Sequence, residues 1–70
     1  MSMEQIRDHY GVPAKRGARV LYSGSSPARV GEIVRSKGKH IRVMFTKIVD
    51  KEVITNTLTL HPTWKIEYLP

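Results

Sequence analysis

Cysteine is absent from the 70-residue chain, which excludes disulfide staples and the zinc sites built from thiolate pairs. Acidic residues are few, six against twelve lysines and arginines, and aromatic ones fewer: one Trp, one Phe and three Tyr. No apolar run approaches the roughly 20 residues that a membrane-spanning helix needs. The opening MSMEQIRDHY carries Glu4 and Asp8 where a secretory leader would have a basic start and a long apolar stretch. These absences lead us to expect a soluble cytoplasmic protein. By surface-to-volume scaling a chain of roughly 60 residues buries only about 60% of what its unfolded form exposes, so one thin apolar core must hold the fold together.

What is present is positive charge. The formal net charge is +6 and the pI is near 10.1, which favours polyanions such as nucleic acid ahead of anionic membranes. The plainer explanation of such charge is solubility.

Hydrophobic period divides the chain in two. Met3 to Tyr10 reads as a short helix: Ser2 can cap it, Gln5 completes a capping box, and Gly11 with Pro13 ends it. Ile6 and Tyr10, four apart, share the face that docks on the rest. Residues 1–16 thus form a helix and linker, with GVPAKRG (11–17) as the candidate hinge, and residues 17–70 form the main body.

From Gly17 onward the period is two. Strands are expected at ARVLY (18–22), RVGEIVR (29–35), HIRVMFT (40–46), VITNTLTL (53–60) and WKIEYL (64–69). Gly38 suits a tight hairpin turn needing positive φ, and Asp50 with Lys51 marks another turn. In the third segment Ile41, Val43 and Phe45 face one way and His40, Arg42 and Met44 the other. In the fourth, Val53, Thr55, Thr57 and Thr59 should look outward. Pro62 forces an extended residue before it and a single turn after. The fold class expected is therefore mainly β, a five-stranded small antiparallel barrel with a short N-terminal helix.

The order of strands and glycines in RGARVLYSG, RVGEIVRSKGKHIRVMF and TWKIEYL resembles SH3-like small barrels of the KOW and Tudor type, over about 55 of the 70 residues. Gly17, Gly24, Gly31, Ile33 and Val43 hold the places of the KOW glycines and alternating β-branched residues. That resemblance implies contact with RNA or partner proteins through loops and one barrel face. The Tudor aromatic cage is not implied, because the five aromatics do not cluster in two adjacent loops. The whole chain also resembles short phage, prophage and plasmid proteins that share a YGVPAKRG start and an HPTW followed by a strand ending in EYL. Tyr10, Gly11, Val12, Pro13, Arg16 and Gly17 carry the first likeness; His61 to Trp64 and Glu67 to Leu69 carry the second. It implies a mobile-element origin and brings no established activity.

The candidate nucleic-acid-binding residues form two groups. Arg29, Arg35, Lys37, Lys39 and Arg42 lie on the second and third strands and their turn; with Gly38 at the tip, Arg35 and Arg42 should meet across the hairpin, where phosphate can bridge them. Lys15, Arg16 and Arg19 precede and enter the first strand. The competing explanation is a solvated hairpin whose lysines guard a sheet edge. Glu32, a carboxylate within the basic strand, fits a cross-strand ion pair with Arg19 or Arg42.

Other side chains take structural readings. Phe45 and Trp64, alternating with apolar neighbours, read as core, while Tyr22 and Tyr68 can bury a ring and leave the hydroxyl wet. His9, His40 and His61 lack the spacing of a metal site, and His61 beside Pro62 fits a hydrogen bond to nearby backbone. Ser23, Ser25 and Ser26 lack the lysine and following helix of a P-loop. No nucleophile, base and orienting group come together, so neither an enzyme nor a cofactor is expected. The expected partner is DNA or RNA, held through phosphates. The alternative is a protein-interaction module using an exposed strand edge or the Thr55, Thr57, Thr59 face, as a monomer or an edge-paired dimer. A membrane-surface role is disfavoured by the short, acid-bearing helix.

Overall fold

Ser2 begins the fold by the expected chemistry. Its hydroxyl accepts from the Gln5 amide while the Gln5 side chain accepts from the Ser2 amide, and helix α1 (Met3–Tyr10) follows, closed by Gly11 in the left-handed conformation. The computed structural model describes residues 2–24 and 26–70, so Ser25 of the serine loop lies outside the described residues. Ile6 is fully buried and Tyr10 packs on the core beside it.

The 11–17 stretch, the candidate hinge, packs against the strands. Ala14 is fully buried in the same cluster as the strand residues. Arg7 Nη1 donates to the Ala14 carbonyl at 2.8 Å, and the Gly17 amide donates to the Ile33 carbonyl at 2.9 Å. Helix, linker and strands thus share one core.

Five strands follow: β1 (Arg19–Tyr22), β2 (Arg29–Lys37), β3 (His40–Val49), β4 (Glu52–Leu60) and β5 (Ile66–Tyr68). All pairings are antiparallel, in the order β4-β3-β2-β1-β5. The fold is therefore mainly β, one five-stranded sheet with one short helix. The edge strands β4 and β5 are joined through the His61–Lys65 turn, and no ladder connects them among the described residues.

Both tight turns form where expected, by different means. Gly38 has φ 58 between Lys37 and His40, paired across a two-residue turn. Asp50 and Lys51, with φ 50 and 67, supply the two positive-φ positions of a type I′ turn between Val49 and Glu52.

The core is built from the inward face of the sheet. Val20, Ile33, Ile41, Val43 and Phe45 are buried there together with Ile6 and Ala14, each large side chain contributing about 1.5–3 kcal/mol. Gly31 lies opposite Val20, and a Cβ on it would come within 2.5 Å of Val43 Cγ1 and 2.8 Å of Phe45 Cε1. Between Ile33 and Arg35 the β2–β3 register slips at Val34, a bulge. Before it the odd-numbered residues of β2 face the core; after it Ser36 does, opposite Ile41.

β3 runs on three residues past the segment expected of it, and β4 begins one residue earlier than expected. Lys47, Ile48 and Val49, which lie outside the expected strands, continue the β3–β4 ladder, which has nine successive rungs from Ile41↔Leu60 to Val49↔Glu52. The molecule measures 41 × 20 × 19 Å as a result. On β4 the Val53, Thr55, Thr57, Thr59 face looks outward, but the opposite face is largely wet too: of that strand only Leu60 is buried.

Trp64 departs from its expected place in the core. Lys65 has φ 53, which breaks the pleat between Trp64 and Ile66, and β5 begins only at Ile66. The indole is 54% exposed. Tyr68 is half-buried, and its hydroxyl donates to the Pro62 carbonyl at 2.8 Å. Burial raises its pKa from 10.0 to about 12.

Candidate nucleic-acid interface

Arg35 and Arg42 are direct partners across the β2–β3 ladder. The two-residue turn sets this pairing, and the Val34 bulge lets Ile33 stay inside although Arg35 lies on the outer face. Like charges opposite one another repel, which makes the rung a candidate anion site. Arg42 is held in position by a hydrogen bond from Nη1 to Thr59 Oγ1 at 3.0 Å on β4. The turn is closed by the pairing of Lys37 with His40, and Lys39 sits in the turn itself, so one end of the hairpin carries Arg35, Lys37, Lys39 and Arg42.

The lead-in to β1 borders the same strand. The Gly17 amide bonds to Ile33 and the Ile33 amide bonds to the Ala18 carbonyl, which seats the Lys15–Gly17 turn against β2 beside the bulge from which Arg35 emerges. Lys15 and Arg19 line one cleft of 590 Å³ with Gly17 and Tyr68, and Arg16 lies exposed in the turn. Arg19 faces Glu32 across the β1–β2 ladder, the arrangement that a cross-strand ion pair requires.

Arg29 does not join this surface. It precedes the bulge and takes the inward phase of β2, pairing with Tyr22. Its guanidinium lies 5.1 Å from the Phe45 ring centroid, a cation–π distance. There it shares a separate cleft of 590 Å³ with Lys47 and Asn56. The basic band expected on β2 is therefore divided between two faces.

An aromatic row on the inner side escaped sequence reasoning. Trp64 lies 6.3 Å from Tyr22, and Tyr22 lies 6.2 Å from Phe45. Lys65 Nζ is 5.3 Å from the Trp64 ring centroid. The only signal for this in the sequence is Lys65 beside the tryptophan, and nothing in the chain marks that lysine as left-handed.

The three histidines converge at the helix end. His9 is 4.6 Å from Tyr10, Tyr10 is 5.0 Å from His61, and His61 is 5.8 Å from His40. His61 Nδ1 accepts from the Thr63 amide at 3.1 Å, which leaves its proton on Nε2. Among the described residues no group of three or more His, Cys, Asp or Glu is placed to hold a metal. No helix among them is long and apolar enough to cross a membrane.

Comparison with protein-family models, with curated proteins and with solved structures gave no match. Function has to be argued from the geometry.

Proposed function

We propose that the protein binds nucleic acid through its phosphates, using the outer face at the β2–β3 turn end. Arg35, Lys37, Lys39 and Arg42 form the centre of the surface, with Lys15, Arg16 and Arg19 beside it. The observation that carries this reading is the Arg35–Arg42 rung: two arginines stand opposite one another on adjoining strands, and a phosphate bridging them would offset their repulsion with charge-assisted hydrogen bonds. The SH3-like barrel resemblance and the net charge of +6 support the same class of partner. Contacts of this kind position the strand and carry little base readout.

The test is anisotropy titration of labelled single-stranded and duplex DNA and RNA across a salt series. Log K should fall with log salt by about 0.9 per neutralised phosphate on B-DNA. The pair Arg35→Glu, Arg42→Glu should abolish binding with the circular dichroism unchanged. Undiminished binding by that folded double variant overturns the surface; no binding by the wild type at low salt overturns the function. Trp64 supplies a built-in probe, because stacking by an unpaired base changes its emission and phosphate contact alone does not.

A further inference from the structure

The two edges of the sheet are treated differently. β5 is three residues long and is preceded by a left-handed lysine, so it offers little backbone to a passing strand. β4 presents nine residues in unbroken register with β3. Between Val53 and Leu60 it has no charge, no proline and no glycine, the devices that normally keep an edge strand from pairing. Its flanks are apolar as well: Val53 is 67% exposed, Ile54 41% and Leu58 39%.

β4 is also complementary to itself. A two-fold axis through its central residue, Asn56, overlaps all nine positions in antiparallel register. Ile54 of one copy then faces Leu58 of the other, Thr55 faces Thr57, and Val53 faces Thr59. Every pairing keeps inner residues with inner and outer with outer. The backbone agrees. In a two-residue hairpin the residues flanking the turn, Val49 and Glu52 here, form a hydrogen-bonded pair. Alternation from that pair points the amides of Val53, Thr55, Thr57 and Thr59 to the free edge. In the Asn56-centred register these are the residues that must exchange hydrogen bonds between copies.

At each end of the shared ladder Glu52 of one copy lies opposite Leu60 of the other, and the tip it belongs to, Asp50, Lys51 and Glu52, carries both signs of charge. We infer that a second copy of this chain docks on the β4 edge, joining two sheets into one through a dyad at Asn56. The inference rests on the free backbone edge of β4 and not on the nucleic-acid reading, although Arg42 reaches Thr59 on that strand.

The test begins with light scattering and sedimentation of the full chain over a concentration series, where a mass twice 8.0 kDa is expected at high concentration. Thr57→Pro removes an edge amide without touching the β3 ladder and should return the mass to that of one chain. If that variant unfolds, the double variant Thr55→Lys, Thr57→Lys opposes lysines across the same rungs. Because the chain has no cysteine, Asn56→Cys reports the register directly. Cα atoms of such a non-hydrogen-bonded pair lie about 4.5 Å apart, within disulfide range, so mild oxidation should link the two copies, whereas Ile48→Cys should not link. A mass of one chain at every concentration overturns the inference, as does a dimer that Asn56→Cys fails to link.

Discussion

A single strand, β3, passes through two unlike regions. From Ile41 to Met44 it is paired with β2 on one side and β4 on the other, and Ile41, Val43 and the next inward residue, Phe45, are buried. From Thr46 to Val49 it has only β4 beside it, and every residue is exposed. The amino acids hardly change: Val49 lies on the same face as the buried Ile41, yet 37% of it is in water, and Ile48 on the opposite face is 72% exposed. Burial here is set by how many elements stack over a strand, and the chain has one helix and a thin core to give. The body is a packed sheet; the ribbon is a hairpin that lacks a second layer.

The comparison breaks most sharply at Phe45 and Ile48, three residues apart on one strand. Phe45→Ala should lower the unfolding free energy by about 3–5 kcal/mol, enough to leave a domain this small largely unfolded. Ile48→Ala should change it by less than about 0.5 kcal/mol. Guanidinium denaturation of the two variants checks both, and equal losses would mean that the ribbon is packed after all.

Gly31→Ala tests the body's tolerance from the other direction. The added methyl meets the Val43 and Phe45 side chains, both buried, so a loss of about 1–3 kcal/mol is expected from overpacking.

A smaller effect should appear at alkaline pH. The Tyr68 phenol is held at about 12 in the folded chain against 10.0 for a phenol in water, so the folded state keeps a proton that the unfolded state has lost. Its contribution to stability is complete below pH 10 and is lost as pH rises towards 12. Tyr68→Phe should flatten that decline in a thermal melt series while giving up, at neutral pH, about 1 kcal/mol for the hydrogen bond to Pro62.

The smallest change belongs to the ribbon tip. Lys51 has φ 67, a conformation costly for any residue with a Cβ. Lys51→Gly should raise the melting temperature slightly, by under about 1 kcal/mol in free energy. Hydrogen exchange on the same samples should show the distal ribbon amides opening well before those of Ile33 and Val43.

Much of this architecture is legible in the residues themselves. The capping box at Ser2, the alternation of Ile41, Val43 and Phe45, and the turns at Gly38 and Asp50–Lys51 are local signals, and each appears at its expected place. The meeting of Arg35 and Arg42 follows from the turn alone. What is not legible depends on partners distant in sequence. Ala14 and Val12 look like linker until they pack against strands. Trp64 alternates with Ile66 on paper, but one left-handed lysine turns it out. Arg29 belongs with the other basic residues until the bulge at Val34 puts it in the opposite phase. Ile54 and Leu58 carry an inward pattern with no second layer to receive them.

That bulge has a consequence best put as counting. A pleated strand is a binary code in which odd and even positions have opposite fates, and β2 switches code at residue 34. Upstream, odd numbers are the interior; downstream, even numbers are. Val34 is the one residue of the strand that the ladder does not count. Taking it out would leave Ile33 inside and Arg35 outside as direct neighbours, with every other side chain on the face it already occupies. Inserting a residue that the ladder does count would instead reverse the fate of everything beyond it, and the cations of the tip would be turned into the core.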